Sequence, residues 1–130
     1  MAVTISAITN VDATQNQFVV DGSLTLSGDY GAANTHGDTL SFAGFDQIKS
    51  SVAPTRVEIF EAPAAGTSAT GFVYSFSPGS TQANGVLQVF GTPATGAATT
   101  PLTEYTEAAA YSAGLKAAAL KFRAWFPSFA

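Results

Sequence analysis

The chain contains no cysteine, so neither a disulfide framework nor a thiolate metal site is open to it. It is also short of charge. Only 11% of its 130 residues are Asp, Glu, Lys or Arg, against about 25% in an ordinary soluble domain. Its five basic residues do not gather; Lys116, Lys121 and Arg123 are the nearest approach to a cluster. Binding to nucleic acid needs many phosphate contacts, so that class is set aside. No apolar run approaches the roughly 20 residues of a membrane-spanning helix. Met1-Ala2-Val3-Thr4 lacks the basic start and long apolar stretch of a secretory signal. The expectation is a protein made in the cytoplasm, with neither a membrane nor a nucleic acid as partner.

What the chain has in quantity is apolar material: 46% hydrophobic residues, 12% of the total being aromatic. That suffices for one domain over residues 1–130 with a sizeable core. With charge so scarce, the surface must be built from Ser, Thr, Ala, Gly, Asn and Gln. Such a surface suits a protein packed against neighbours. The net charge is −4.

The stretch Gly71 to Phe90 organises the rest. Phe72, Tyr74 and Phe76 recur at every second residue, which places three rings on one face of a strand. Pro78 and Gly79 break that strand, and Asn84-Gly85 supplies a turn tolerant of positive φ. Val86 to Phe90 forms the second arm of a hairpin around whose aromatic face other strands are expected to pack. Upstream, Val3, Ile5 and Ala7 alternate with Thr4 and Ser6, predicting a strand over residues 2–9. Residues 1–9 are also a candidate arm that adds to another subunit. Asn10 to Asn16 reads as a polar connection. Phe18, Val20, Leu24 and Leu26 share a face, interrupted in phase by Asp21-Gly22, where a bulge or bend is expected. Gly28 to Gly37 reads as a loop. Leu40 and Phe42 open a short strand, Phe45 and Ile48 tuck one turn against the core, and Arg56 to Phe60 is a strand. Thr92 to Pro101 reads as a loop without fixed pattern.

The last thirty residues admit two readings. Glu107 to Leu120 is alanine-rich and helix-prone. Leu120, Phe122, Ala124 and Phe126 alternate with Lys121, Arg123 and Trp125, which is strand periodicity. We assign a strand over Ala118–Phe126 and at most one helical turn before it. The expected fold is all-β: a single antiparallel β-sandwich, jelly-roll-like, of seven or eight strands.

Candidate chemistry is sparse. Asp29, His36 and Asp38 lie within one loop and are ligand types, but all three are also ordinary turn residues. Gly66 to Gly71 misses the spacing of a nucleophile elbow and has no following helix. Glu58 with Glu61, or Glu104 with Glu107, would be paired carboxylates, but residues three apart on a strand point to opposite faces. The reading is of a non-enzyme with no cofactor and no metal. Trp125 points away from Phe122 and Phe126 and is the foremost candidate for a partner-facing aromatic.

Five short motifs carry a resemblance. They are Ser27-Gly28-Asp29-Tyr30-Gly31, Gly37-Asp38-Thr39-Leu40-Ser41-Phe42, Gly71-Phe72-Val73-Tyr74-Ser75-Phe76, Asn84-Gly85-Val86-Leu87-Gln88-Val89-Phe90 and Phe122-Arg123-Ala124-Trp125-Phe126-Pro127. Together the chain resembles small structural proteins of tailed bacteriophages, of the capsid decoration, or cement, type. In those a long first strand ends at a Tyr and a Gly-Asp-Thr-Leu-like turn starts the next. The resemblance implies a sandwich that binds the outer surface of the major capsid shell in the virion, self-associates as a homotrimer and bridges capsid subunits. It supplies no catalytic residues. The residues expected at contacts are Ala2, Val3 and Ile5 by edge-strand addition, Tyr30 on its loop, and Trp125 and Phe129 near the C-terminus. The rival reading is a phage tail or fibre protein with a carbohydrate- or receptor-binding sandwich.

Overall fold

A computed structural model of the chain describes residues 2–13, 17–31, 36–48, 52–63, 65, 71–91, 103–106 and 109–127. Among them run eight strands and one short helix. These are β1 (Val3–Ala13), β2 (Gln17–Leu26), β3 (Asp38–Leu40), β4 (Arg56–Glu61), β5 (Val73–Ser77), β6 (Gly85–Gly91), β7 (Thr103–Glu104), α1 (Ala113–Ala117) and β8 (Leu120–Pro127). They make two antiparallel sheets, the first in the order β1-β2-β8-β4. In the second, β5 runs along one side of β6, pairing Val86 through Phe90. The other side of β6 is shared end to end: β3 takes Gly85–Leu87 and β7 takes Phe90–Gly91, leaving a gap at Gln88 and Val89. The all-β class read from the sequence is what the chain adopts.

Strict alternation explains the layering. In β2, Phe18, Val20, Leu24 and Leu26 are buried, and in β8 so are Leu120, Phe122, Ala124 and Phe126. These two central strands pair directly, so their apolar faces form one continuous wall. Leu87 and Val89 of β6 face it from the second sheet, with Phe72, Tyr74 and Phe76 packed at its margin. Phe42, wholly buried, is the shared ring, meeting Phe76, Phe122 and Phe126 edge-to-face at centroid distances of 6.3, 5.5 and 5.4 Å. Each such side chain withdrawn from water contributes about 1.5–3 kcal/mol before entropy is counted. The hairpin of β5 and β6 is thus one wall of the core; its centre lies against β8.

Three glycines are covered by phenylalanine rings, two from a neighbouring strand and one from Phe72 just before β5. A Cβ on Gly22 would meet the ring of Phe122, its cross-strand partner, at 2.6 Å, and one on Gly91 would meet the ring of Phe72 at 2.8 Å. A Cβ on Gly85 would run into the Phe76 ring. This corrects the expected role of Gly85. It is a buried strand residue of β6, and its φ is not among the positive values in the chain. Asn84 closes the hairpin loop with its side chain instead: Oδ1 accepts from the Thr81 amide at 2.9 Å and Nδ2 donates to Ser80 at 2.8 Å.

Other boundaries differ from expectation for physical reasons. The first strand does not stop at residue 9 but runs to Ala13, so Asn10 to Ala13 is strand and not connection. The bulge expected at Asp21-Gly22 falls on the partner strand. Ile5 opposes Leu24 but Ala7 opposes Ser23, and Ile8 opposes Gly22 but Asn10 opposes Asp21, so Ser6 and Thr9 are the extra residues. Gly22 lacks a Cβ, and the carbonyl of Ala7 occupies the space one would need. The third strand begins at Asp38, directly after the loop read over Gly28 to Gly37 and two residues before the expected start at Leu40, and Phe42 lies beyond its end. Phe42 is held by its amide donating to Gln82 O at 3.0 Å. The turn at Phe45–Ile48 is present, closed by a 3.1 Å backbone bond. Helix α1 is capped by Ser112, whose side chain accepts from Leu115 N, and β8 follows. The stretch Thr92 to Pro101 lies outside the described residues.

Candidate functional site

Two polar constellations stand out, one buried at the gap in the second sheet and one on the outer face of the first. At the gap, Tyr30 is wholly buried. Its hydroxyl accepts from the Val89 amide at 3.4 Å and donates to Glu104 Oε2 at 2.6 Å. Just past β7 the Tyr105 amide bonds the Val89 carbonyl at 2.8 Å, so the Tyr30 hydroxyl serves the Val89 N–H on the same residue. Glu104 Oε1 lies 2.7 Å from His36 Nδ1. Alongside, Asp38 is buried with both oxygens engaged: Oδ1 accepts from the Gly31 amide at 3.1 Å and Oδ2 accepts from the Tyr111 hydroxyl. Tyr30 packs edge-on against Tyr105 and Tyr111, which stack on each other. The Tyr105 hydroxyl donates to Ala110 O and accepts from the Ser112 amide.

The electrostatics follow from this geometry. Burial, reinforced by Glu104, raises the Tyr30 hydroxyl well above the ordinary phenol value. Burial and Asp38 do the same to Tyr111. Burial pushes Glu104 up, but hydrogen bonds from Tyr30 and His36 outweigh it and hold the carboxyl below its usual value. Every polar group of the cluster named above is satisfied by protein, as a structural joint requires. The loop metal weighed from the sequence is not assembled. Asp38 is spent on Tyr111 and Gly31, His36 sits against Glu104, and Asp29 pairs with Ala110 through its backbone. Among the described residues no group of three or more His, Cys, Asp or Glu is placed to hold a metal ion.

On the outer face of the first sheet, register fixes three rows across β2, β8 and β4: Val19-Trp125-Arg56, Asp21-Arg123-Glu58 and Ser23-Lys121-Phe60. The Arg56 guanidinium stands 5.2 Å from the centre of the Trp125 ring, a cation–π contact. Arg123 grips Asp21 through two nitrogens, Nε at 2.7 Å and Nη2 at 3.2 Å. That hydrogen bond lowers the Asp21 carboxyl below its usual value. Lys121 donates to Ser23 at 3.0 Å. Phe60 is 48% exposed. A shallow groove of about 350 Å³ crosses the face, lined by Asp21, Glu58, Phe60, Lys121 and Arg123 among others.

The expected contact residues separate sharply. Trp125 is half-buried on this outer face, opposite in direction to Phe122 and Phe126. Tyr30 does not reach outward; it is a buried wedge, because only its hydroxyl satisfies the amide of Val89 across the gap. Val3 and Ile5 bury their side chains in the core, while the carbonyl of Ala2 accepts from Ser27 N at 2.8 Å, so residues 2–9 lie in the sheet of their own chain. Phe129 lies outside the described residues, as do the loop glycine Gly66 and Glu107. Glu58 is exposed on the outer face, whereas Glu61 is half-buried with its carboxylate 3.4 Å from the Tyr74 hydroxyl, so the two do not share a face. The roles of Tyr105, Tyr111 and Glu104 were not read from the sequence, and no local pattern marks them. Comparison with known proteins finds no matching family model, no matching curated protein and no matching solved structure.

Proposed function

We propose that the chain is a virion structural protein, a decoration or cement protein that binds the outer surface of a major capsid shell and bridges its subunits. We read the two sheets as a β-sandwich of jelly-roll-like kind serving as a rigid plate. The observation that carries the reading is the outer face of the first sheet. There Trp125 is held in place by Arg56 and flanked by the ion-paired Asp21 and Arg123. A pre-positioned aromatic among neutralised charges is the composition of an interface centre, and it loses little side-chain entropy on contact. The acidic net charge of −4 also suits the outside of a shell whose inside faces DNA. Many weak contacts of this kind, repeated over a lattice, act together.

The test is to compare phage heads assembled with and without the protein. Heads lacking it expand normally but rupture at lower temperature, and adding the purified chain restores them. Trp125→Ala rescues poorly, while the fold of the isolated variant is retained. The second reading, a tail or fibre protein that binds a carbohydrate receptor, is favoured by the groove beside Phe60, which combines an exposed ring with carboxylates and cations. Particles that are equally robust without the protein but fail to adsorb to cells establish that reading in place of the first.

A further inference from the structure

Asn84 alone among the asparagines of the chain is followed by glycine. An Asn-Gly pair is prone to spontaneous deamidation, because glycine has no side chain to shield its nitrogen. In that reaction the Gly85 nitrogen gives its proton to solvent base and attacks Asn84 Cγ. The N–Cγ bond forms, the Cγ–Nδ2 bond breaks, and the side-chain nitrogen leaves as ammonia. Water then opens the five-membered imide at either carbonyl. One opening leaves aspartate. The other leaves isoaspartate, whose main chain runs through Cβ and Cγ. Water is the only co-reactant, and nothing is oxidised or reduced.

The folded hairpin opposes each requirement of this chemistry. Asn84 is exposed, yet its amide is held back along the loop. Oδ1 accepts from Thr81 N at 2.9 Å, and Nδ2 donates to Ser80 Oγ at 2.8 Å. Gly79 lies so close beneath it that a Cβ there would come within 2.6 Å of Cγ. The attacking nitrogen is committed too. Val89 turns its N–H to the Tyr30 hydroxyl and its C=O to the Tyr105 amide, on the side of β6 shared by β3 and β7. Peptide directions alternate along a strand, so Gly85, four residues earlier, points its N–H to that same side, where it faces Leu40 of β3. The Phe76 ring covers Gly85 closely enough to exclude a methyl group. The Phe42 amide, donating to Gln82 O at 3.0 Å, ties the loop itself to the chain just past β3.

We propose that Asn84-Gly85 is a deamidation site gated by opening of the hairpin loop, residues 78–84, and that isoaspartate formed there keeps the loop from closing again. Ring closure requires the amide to leave Thr81 and Ser80 and the Gly85 nitrogen to leave Leu40. The reaction therefore proceeds from the open loop, and its rate records how often the loop opens. Isoaspartate adds one methylene to the main chain immediately before β6. The former Asn84 carbonyl, whose oxygen packs against Gly79, becomes a carboxylate. The pairing of Gly85 with Leu40 and its fit under Phe76 are then set against each other. The hairpin carries a one-way mark of age. Its loop shares no residue with the outer face of the first sheet, and the inference does not depend on the capsid reading.

Peptide mapping by mass spectrometry of the full chain, aged at mildly alkaline pH, tests this. Conversion at Asn84 in the folded chain is expected to run about tenfold or more slower than in the same chain in urea. Equal rates overturn the gating. Ser80→Ala removes the acceptor of Nδ2 at an exposed position and leaves the fold intact. It should speed conversion several-fold in the folded chain and leave the rate in urea unchanged. A folded rate equal to the wild type's overturns the hold of the loop on the amide. Asn84→Asp supplies the acid without the longer main chain. Aged chain enriched in isoaspartate at this position should unfold at a lower urea midpoint than Asn84→Asp, and equal midpoints overturn the claim that the loop cannot close again.

Discussion

The hydroxyl of Tyr30 meets the backbone amide of Val89, 59 residues later, at 3.4 Å, between the stretches of β6 paired by β3 and β7. The Val89 carbonyl is bonded by the Tyr105 amide, and a side chain takes the remaining N–H. The same oxygen donates to Glu104 on β7. Tyr30→Phe keeps the ring and its contacts with Tyr105 and Tyr111 but leaves both the amide and the carboxylate without this partner. It is expected to destabilise the fold by about 1–3 kcal/mol, measured by urea unfolding with an unchanged m-value. A midpoint equal to the wild type would show that water replaces the hydroxyl at no cost.

Acid weakens the protein through Glu104 and Asp21. Both carboxyls titrate below their ordinary values of 4.5 and 3.8 in the folded chain. The unfolded state therefore takes up protons first as pH falls. The contribution is complete above pH 4.5 and is lost as pH drops through that range to the lower folded values. Glu104→Gln should flatten this acid limb while lowering stability at neutral pH. An acid limb of unchanged steepness in thermal melts from pH 7 to pH 3 would remove Glu104 from the account.

The alkaline limb has the opposite origin. Tyr30 and Tyr111 ionise in the folded chain only well above their ordinary value of 10.0. Stability from these groups is present below pH 10 and falls as pH rises beyond it, since the unfolded chain releases protons that the folded chain holds. Absorbance at the tyrosinate band should show part of the four tyrosines titrating only together with loss of near-ultraviolet circular dichroism. Free titration of all four in a still folded chain would contradict the burial of Tyr30 and Tyr111.

Gly85→Ala places a methyl group where the Phe76 ring lies. Overpacking of this kind is expected to cost about 1–3 kcal/mol. Phe76→Leu alone also destabilises, but combined with Gly85→Ala the losses should be less than additive, because the smaller side chain vacates the contested space. Full additivity in a double-mutant cycle would show that the two residues do not compete.

Much of the sheet structure was legible because a strand's faces are written locally. Phe18 to Leu26, Phe72 to Phe76 and Leu120 to Phe126 each alternate, and each is a strand with the expected face inward. The direction of Trp125 followed from the same rule. Tyr30, Asp38 and Glu104 were not legible because their partners lie 59 to 74 residues away. A tyrosine between two glycines reads as a loop residue until the fold brings β6 to it. Gly85 misled for a related reason: Asn-Gly is a turn signal in isolation, and only the Phe76 ring reveals why a residue without a Cβ is needed in the strand. The bulges at Ser6 and Thr9 were placed on the wrong strand because the constraint at Gly22 acts on its neighbour.

Strand β8 lies between β2 and β4, yet it is the latest of the eight in chain order. As the polypeptide leaves the ribosome, β2 and β4 wait without their shared partner until residues 120–127 emerge. The β1–β2 hairpin can form early, but β4 cannot join it until β8 is present; closure of the first sheet is a late event spanning about a hundred residues of intervening chain, which slows folding. Nascent chains stalled before Leu120 should therefore remain open to protease, and those carried clear of the ribosome on an added C-terminal linker should abruptly become resistant.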